Sequence, residues 1–303
     1  MFDLIIIGGG PAGCSAGVYA ARKLLKTLLI TESFTGQSVD SVDVQNWIGT
    51  PHIAGTELMR QLEAHVRAYA SDTVTIVTGE RVTLLSKSER GFTVTTSGGA
   101  THEAKTVLIA TGGSRRKLEA PGADTYEHKG LTYCATCDGP LFAGQDLFVI
   151  GGGNSAFETA AQLLAYAKSV TLLSRSEFRA DPVTVATVLK DPRMRAIPNA
   201  TVKAVTGAAF VTGITYADKD GEHTASTGGI FVEIGHVPAT EFARGTVALD
   251  AAGRITVDPR TQRTSVLGVW AAGDCTDELY HQNNIAAGDA VKALEDIYIY
   301  LKT

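Results

Sequence analysis

Residues 3–13 read Asp3-Leu4-Ile5-Ile6-Ile7-Gly8-Gly9-Gly10-Pro11-Ala12-Gly13, an apolar run that ends in a glycine-rich turn. Such a run without polar residues is typical of a parallel strand that is covered on both faces. Residues 15–23 then predict a helix, and residues 27–30 predict a second strand. Strand, tight glycine turn, helix and strand form the setting in which a Gly-x-Gly-x-x-Gly motif binds a dinucleotide.

Each glycine of this motif has a physical role. Gly8 permits the tight turn, Gly10 lets the backbone approach a pyrophosphate, and Gly13 lets the helix pack closely on the strand. The helix N-terminus adds unpaired N–H groups and a positive dipole end for the phosphates. Glu32 lies 19 residues beyond Gly13, near the place where an acidic side chain accepts hydrogen bonds from ribose hydroxyls.

The same unit recurs 143 residues later, where Asp146–Ala156 aligns with Asp3–Gly13 without a gap. Continuing the alignment places Arg175 at the position of Glu32. An acid suits free ribose hydroxyls, whereas an arginine suits a 2′-phosphate. The repeat therefore predicts an α/β protein with two Rossmann-like dinucleotide-binding domains, each a three-layer ββα unit, that bind different ligands.

Two candidate linkers, near residues 113–122 and 234–240, divide the chain. Because short connections between neighbouring elements are preferred, we expect the second domain to be inserted into the first. The predicted first domain comprises residues 1–114 and 241–303. The predicted inserted domain comprises residues 115–240.

A pair of cysteines precedes the second glycine turn, in Tyr133-Cys134-Ala135-Thr136-Cys137-Asp138-Gly139. A zinc site would need two more soft ligands at similar spacing, and the chain's other cysteines, Cys14 and Cys275, are isolated in sequence. Between the glycine-rich segments the pair is interpreted as redox-active, and no metal site is predicted. Asp138 is either an acid–base group for the thiols or a turn and cap residue, and we favour the first. Cys14 and Cys275 are predicted to be small buried residues.

Composition narrows the functional classes. The 303 residues suffice for two domains, and 44% of them are hydrophobic. The net charge of −5 and the lack of a basic run argue against nucleic acid as a partner. The apolar N-terminus is too short to span a membrane and has no signal-peptide features, so a cytoplasmic protein without membrane contact is expected. In a reducing cytoplasm a Cys-x-x-Cys pair is more often catalytic than structural.

Taken together, the motifs resemble those of low-molecular-weight thioredoxin reductase and the reductase portion of the alkyl hydroperoxide reductase flavoprotein. The resemblance covers nearly the whole chain and rests on residues 8–13, 110–112, 134–139, 151–156, 234–236 and 271–274. It implies FAD in the first domain, a pyridine nucleotide in the second, a homodimer and a thioredoxin-like protein partner. It also implies that Cys137 is the flavin-proximal sulfur, that Cys134 attacks the partner disulfide, and that Asp138 is the acid–base group. The family rotates the inserted domain about its linkers to bring each reactant to the flavin in turn.

The predicted ligand-binding residues fall into two sets. Those predicted for the flavin are Gly8, Gly10, Pro11, Ala12, Gly13, Glu32, Gly36, Gln37, Asn46, Val82, Ala110, Thr111, Gly112, Gly273, Asp274, His281, Gln282 and Asn283. Those predicted for the second nucleotide are Gly151, Gly153, Asn154, Ser155, Ser174, Arg175, Arg179 and Ile234. His281 and Asn283 differ from the residues usual in the family. His281 is expected to be a surface or packing residue, with stacking on the flavin as the alternative.

The sequence departs from the family where the second nucleotide is recognised. NADPH-linked members carry His-Arg-Arg-x-x-x-Arg. Here Arg175 and Arg179 keep the Arg-x-x-x-Arg spacing with Ser174 in place of the other arginine or, if the segment is one residue shorter, Arg175 is the first arginine and Ser176 replaces the second. One cation is missing in either alignment. A charge-assisted hydrogen bond contributes about 1.5–3 kcal/mol, so NADPH is expected to bind tens-fold more weakly than usual. NADPH is the predicted donor, and NADH, ferredoxin or a second FAD in this site are retained as alternatives. A redox sensor without turnover is the hypothesis from another functional class.

Overall fold

The computed structural model describes residues 1–41, 43–70 and 73–303. The helices are α1 (Pro11–Arg22), α2 (Gly55–Ala68), α3 (Ala123–Tyr126), α4 (Ala135–Asp138), α5 (Asn154–Leu163), α6 (Pro182–Val188) and α7 (Asn283–Lys302). Short 3-10 helices occupy Gln37–Asp40, Gly139–Phe142 and Glu241–Ala243. The strands are β1 (Phe2–Ile7), β2 (Thr27–Thr31), β3 (Val74–Thr78), β4 (Val82–Ser88), β5 (Gly91–Thr96), β6 (Thr101–Ile109), β7 (Gly113–Arg115), β8 (Leu131–Thr132), β9 (Asp146–Ile150), β10 (Ser169–Leu173), β11 (Met194–Ile197), β12 (Thr201–Gly207), β13 (Val211–Asp218), β14 (Gly221–Ser226), β15 (Gly229–Val232), β16 (His236–Pro238) and β17 (Val269–Ala271).

The chain forms two compact units. Unit one contains Met1–Ser114 and Val237–Thr303, and unit two contains Arg115–His236. The sequence placed the second boundary at 240, but residues 237–240 lie with unit one. Two hydrogen bonds hold this segment in unit one. The Ala239 N–H donates to the Gly112 carbonyl (3.0 Å), and the Thr111 hydroxyl donates to the Ala239 carbonyl (2.7 Å).

The sheet of unit one runs in the order β3-β2-β1-β6-β5-β4, with β17 beside the C-terminal part of β6. The β3-β2-β1-β6 portion is parallel, and β5 and β4 continue it as antiparallel strands. Leu4 and Ile6 face a core shared with α1 and α7, whereas Ile5 and Ile7 face a second core. The strand is buried on both faces, as its continuous apolar run predicts.

Unit two has a parallel sheet in the order β11-β10-β9-β15-β8. One face of β9, through Val149, packs with Phe157 of α5. The other face, through Phe148 and Ile150, packs with the antiparallel sheet β12-β13-β14, for example at Ile214. A helix layer, a parallel sheet and an antiparallel sheet thus form the predicted three-layer arrangement. The α/β fold with two Rossmann-like domains, the second inserted into the first, is confirmed.

One strand prediction is wrong in detail. The sequence of residues 73–85 predicts a single strand, but β3 ends at Thr78 and β4 begins at Val82. Gly79 between them has a φ of +81°, a left-handed conformation that stops a strand. Its N–H donates to the Glu32 carbonyl (3.1 Å), which holds the break beside the end of β2.

Helix α7 packs against α1 through small side chains. Ala286, Ala290 and Ala293 share a core with Ala16 and Ala20 of α1, and small residues let the two helices approach closely. Across residues 1–41, 43–70 and 73–303, no helix combines the length and the apolar character needed to cross a bilayer.

Candidate active site

The glycine turn after β1 is closed by backbone contacts that allow no side chain. Gly8 has a φ of +119°, and a Cβ built on it would lie 2.2 Å from the Ala110 carbonyl oxygen. A Cβ on Gly13 would lie 1.9 Å from the Gly8 carbonyl oxygen. At Gly10, in contrast, an added Cβ meets no heavy atom of the described residues within 4 Å. The turn is therefore tight at its base and open where a pyrophosphate would approach, which fits a dinucleotide.

In unit one, Pro11, Ala12 and Gly273 lie beside this turn. Pro11 and Ala12 begin α1, and the Cβ built on Gly273 lies 3.5 Å from the Ala12 Cβ. The Gln37 side-chain amide donates to Asp274 (3.3 Å). The Asn46 side-chain amide donates to Gln282 (3.0 Å), which joins two more of the predicted residues.

The remaining residues of this set occupy defined positions. Asn283 begins α7 and accepts a hydrogen bond from Ser38 (2.8 Å), and His281 lies just before the helix, partly buried. Glu32 is exposed directly after β2. Gly36 and Gly112 have positive φ angles of 69° and 60°. Val82 is 4% exposed in the core, so only its backbone is available to a ligand.

The second glycine turn, after β9, repeats the geometry of the first. A Cβ on Gly151 would lie 2.3 Å from the Glu233 carbonyl oxygen, and one on Gly153 meets no heavy atom of the described residues within 4 Å. Ala156 replaces the third glycine and is fully buried. A Cβ on Gly152 would lie 2.1 Å from the Ser174 hydroxyl, so Ser174 packs under the turn. This turn also fits the pyrophosphate of a dinucleotide.

The segment after β10 wraps around the same turn. The Arg179 N–H donates to the Gly152 carbonyl (2.7 Å), and the Asn154 side chain accepts from the Asp181 N–H (2.7 Å). The side chains of Arg175 and Arg179 are exposed, as is Ser155 at the start of α5. Ile234 is 36% exposed just beyond β15.

The cysteines of the Cys-x-x-Cys motif form a disulfide. Cys134 and Cys137 are joined with their Cα atoms 5.3 Å apart, and the Cys137 N–H donates to the Cys134 sulfur (3.1 Å). Cys134 is the N-cap of the short helix α4, which places the helix N-terminus against this sulfur. A helix N-terminus favours a thiolate over a thiol. Among the described residues, no group of three or more His, Cys, Asp or Glu side chains could hold a metal ion.

Asp138 follows Cys137 in the chain, ends α4 and is partly buried. Its carboxylate accepts a hydrogen bond from the Thr132 hydroxyl. Burial raises the pKa of Asp138, although the Thr132 hydrogen bond and the charge of His128 act in the opposite direction. A carboxyl with a raised pKa keeps its proton to higher pH than an exposed one, which suits an acid that protonates a leaving thiolate.

Sequence reasoning missed the polar groups beside this centre. The Tyr133 hydroxyl donates to Glu127 (2.9 Å), and the Lys117 ammonium donates to the other oxygen of Glu127 (2.7 Å). Burial raises the pKa of Glu127, but these hydrogen bonds outweigh it and the net shift is downward. His128 has a φ of +59°, and its ring is tilted by 54° against that of Tyr133 with the ring centroids 6.3 Å apart.

A buried carboxylate at the second turn was also missed. Glu233 follows β15 with its side chain 7% exposed. It accepts a hydrogen bond from the Thr159 hydroxyl (2.9 Å) and lies 3.6 Å from the Arg115 guanidinium. Burial raises the pKa of Glu233, and the Arg115 charge and the Thr159 hydrogen bond oppose this effect. The only sequence signal was its position directly after the apolar run 229–232.

The two remaining cysteines are confirmed as buried residues. Cys14 donates to the Gly9 carbonyl (3.4 Å), and burial raises the pKa of its thiol to about 12. Burial likewise raises the pKa of the Cys275 thiol to about 11. Thiols with such pKa values form little thiolate near neutral pH, so neither cysteine is expected to act as a nucleophile.

The chain matches the sequence profile of one known protein family over most of its length. The sequence profile of the pyridine nucleotide-disulphide oxidoreductases matches residues 2–290. The chain belongs to this family. Family membership makes it an oxidoreductase.

Individual family members narrow the relationship further. The chain is 40% identical over 303 residues to an NADH dehydrogenase of Bacillus subtilis, covering 99% of this chain and 58% of that protein. It is 41% identical over 297 residues to an alkyl hydroperoxide reductase component of Pseudomonas putida, covering 96% of this chain and 56% of the relative. The chain thus spans somewhat more than half the length of the curated relatives that it matches.

Solved structures of this family match over the full length. Thioredoxin reductase from Giardia duodenalis aligns with a TM-score of 0.94 and 34% identity, covering 100% of this chain and 99% of that one. Thioredoxin reductase from Streptococcus pyogenes aligns with a TM-score of 0.92 and 34% identity, covering 100% and 98%. The resemblance predicted from the motifs is confirmed.

Proposed function

We propose that the chain is a thioredoxin reductase-like flavoenzyme that passes two electrons from a pyridine nucleotide through FAD to the Cys134–Cys137 disulfide. The electrons then pass to a thioredoxin-like protein. The observation that carries this proposal is a disulfide followed directly by the partly buried acid Asp138 in a chain with two open dinucleotide turns. Names of the similar proteins, among them thioredoxin reductases and alkyl hydroperoxide reductases, support it.

FAD is the cofactor that the family and the turn in unit one fit. The pyrophosphate would lie at the open side of Gly10, and Asp274 would accept a hydrogen bond from the sugar-alcohol chain. Glu32 would accept from the ribose, and the start of α7 would face the ring. Bound FAD would supply the two-electron redox chemistry that links a nicotinamide to the disulfide.

The chain's own residues then carry out thiol exchange. Two electrons and two protons convert the Cys134–Cys137 disulfide to two thiols. The Cys134 thiol loses its proton to water and, as a thiolate, attacks one sulfur of a partner disulfide. The partner S–S bond breaks, a mixed disulfide forms, and the leaving partner thiolate takes a proton from Asp138, which regains one from water. The Cys137 thiol then loses its proton to water and attacks Cys134, which re-forms the internal disulfide and releases the second partner sulfur as a thiolate that takes up a proton from water. Each cycle reduces one partner disulfide to two thiols.

NADPH is the proposed donor, since Arg175 and Arg179 are exposed beside the second turn and could contact a 2′-phosphate. NADH is the second candidate, because relatives carry the name NADH dehydrogenase. The buried Ser174 offers neither a cation nor an acid to the ribose. Ferredoxin as donor and a second FAD in unit two stay predictions from the sequence.

A separate thioredoxin-like protein is proposed as the electron acceptor, in a cytoplasmic setting where thiols are kept reduced. A homodimer is proposed from the family resemblance. Sedimentation of the holoprotein would test the dimer, and a mass of one chain would contradict it.

The decisive experiment is anaerobic titration of the purified holoprotein with NADPH or NADH while flavin absorbance is recorded. Bleaching by either nucleotide, followed by multiple turnovers of a thioredoxin disulfide, is expected. Cys134→Ser should retain bleaching and lose turnover. No bleaching with either nucleotide would contradict the proposal, and two FAD per chain would instead support the second-flavin alternative. Bleaching without turnover would support the sensor hypothesis.

A further inference from the structure

Glu233 stands on one side of the second glycine turn, opposite the segment that begins with Ser174. The Glu233 N–H donates to the Ile150 carbonyl (2.7 Å), so Glu233 lies next to the last residue of β9. On the other side, the Gly151 N–H donates to the Leu173 carbonyl (2.9 Å), which places the end of β10 beside the turn. The turn is thus flanked by the ends of β10 and β15.

These two sides suit different halves of a dinucleotide. In this kind of fold the pyrophosphate lies at the glycine turn, and the adenosine ribose is read about 20 residues later, at the end of the next strand. That position is the segment of Ser174 and Arg175. The other half of the ligand is then expected on the β15 side, where the first side chain beyond the strand is Glu233.

We propose that Glu233 is a specificity-determining residue that recognises the nicotinamide half of a pyridine dinucleotide bound to unit two. The inference deepens the proposed function and rests on it. A carboxylate accepts hydrogen bonds from the amide N–H groups of nicotinamide or from ribose hydroxyls, and its charge attracts the cationic oxidised ring. A second FAD offers no such cation.

The surroundings of Glu233 hold the carboxylate in place and partly offset the cost of its charge. The Thr159 hydroxyl, from α5, binds one oxygen, and the Arg115 guanidinium approaches the other. The exposed Glu158, also on α5, repels the charge and raises the pKa of Glu233. Burying a carboxylate at 7% exposure costs free energy even with such partners, and a ligand contact at this edge accounts for its presence.

Binding measurements on the holoprotein test the inference by titration calorimetry. Each oxidised dinucleotide is compared with the same molecule lacking nicotinamide, namely NAD⁺ with ADP-ribose and NADP⁺ with 2′-phospho-ADP-ribose. Glu233→Gln should lower the affinity for NAD⁺ and NADP⁺ by about tenfold or more, the size expected for a charge-assisted hydrogen bond. The affinity for the two shortened ligands should change less than about twofold. Retained binding of these ligands also shows that the variant is folded.

Glu177→Gln is the matched control, because Glu177 is an exposed carboxylate in the segment on the opposite side of the turn. Glu177→Gln should change the affinity for each dinucleotide and the affinity for its shortened partner by the same factor. Thr159→Val removes the hydroxyl that holds the Glu233 carboxylate. Its affinity for NAD⁺ and NADP⁺ should lie between those of the wild type and Glu233→Gln, and its affinity for the shortened ligands should be unchanged.

The inference would be overturned if Glu233→Gln lowered the affinity for a dinucleotide and for its shortened partner by the same factor. It would also be overturned if the variant lowered neither affinity. The proposed function would still stand in both cases, provided that NADPH or NADH bleaches the flavin of the wild-type protein. Wild-type protein that binds ADP-ribose as tightly as NAD⁺, and 2′-phospho-ADP-ribose as tightly as NADP⁺, would also overturn the inference.

Discussion

Asp138 illustrates how one partly buried carboxyl can set the pH range of a reaction. Burial raises its pKa, so the proton is retained above the pH at which an exposed aspartate loses it. The rate of a step that needs this proton should therefore fall as the pH rises through the raised pKa. Asp138→Asn keeps the shape of the side chain and removes the proton donor.

For Asp138→Asn we expect disulfide turnover to fall by about 10²-fold or more, the usual contribution of a general acid, and the pH limb to disappear. Anaerobic stopped-flow should show flavin reduction by nucleotide at the wild-type rate. Asp146→Asn, at a partly buried carboxylate at the start of β9, is the control and should leave both steps unchanged. Wild-type turnover in Asp138→Asn would exclude the acid role.

Glu233 supports a second prediction, on the binding of the oxidised nucleotide. Because burial raises its pKa against the opposing effects of Arg115 and Thr159, acidification should neutralise this carboxyl earlier than an exposed glutamate. The affinity for NAD⁺ should then fall as the pH is lowered through the raised pKa, and that for ADP-ribose should not. Calorimetry across pH measures both, and Glu233→Gln should remove the difference. A parallel pH dependence for the two ligands would show that Glu233 is not responsible.

These two residues mark where sequence reasoning succeeds and where it stops. Asp138 could be singled out because it adjoins Cys137, and neighbours in sequence are neighbours in space. Glu233 meets Thr159 across 74 positions of chain, and Arg115 is farther still in sequence. A single sequence gives no measure of such distant contacts, so the buried carboxylate was not foreseen.

The glycine turns are elements whose geometry could be predicted, because each motif glycine answers a steric demand. In the first turn, Gly13 leaves no space for a Cβ, whereas Gly10 has an ordinary φ of −75° and open space beside it. Gly79 shows the opposite case. Its left-handed φ ends a strand within residues 73–85, a segment whose side-chain pattern predicts one continuous strand.

Two alanine substitutions test the tight packing at Gly13 separately from the open space at Gly10. Gly13→Ala forces its Cβ against the Gly8 carbonyl and should destabilise the protein by about 1–3 kcal/mol, the usual cost of overpacking, with loss of FAD. Gly10→Ala should leave the stability of the FAD-free protein unchanged and weaken FAD binding, because its methyl group would occupy the pyrophosphate space. Thermal unfolding and FAD content measure the two effects. Full FAD affinity in Gly10→Ala would show that the pyrophosphate does not lie there.

At the scale of the whole molecule, the internal repeat was the strongest signal in the sequence. It predicted two α/β domains from residues 3–13 and 146–156 alone, and the fold agrees. The boundary near 240 was harder to place, because hydrogen bonds of Ala239 with Gly112 and Thr111 hold residue 239 in unit one. Those contacts join segments more than 120 residues apart and have no local sequence signature.

Unit two should fold without the rest of the chain. It has its own cores, one between α5 and the parallel sheet and one between the two sheets. Its ends lie side by side, since the Arg116 N–H donates to the Gly235 carbonyl (3.0 Å). We therefore expect residues 115–236, expressed alone, to unfold cooperatively on heating, as followed by circular dichroism, and to form the Cys134–Cys137 disulfide.

Phe157→Ala in the same fragment is the matched test of that core. Phe157 is fully buried and packs edge-on against Phe178 with ring centroids 5.1 Å apart. Its truncation should cost about 3–5 kcal/mol, a large part of the stability of a domain of this size. The variant should melt well below the parent fragment or be unfolded. A parent fragment without a cooperative transition would mean that this core depends on unit one and that the inserted segment is no autonomous domain.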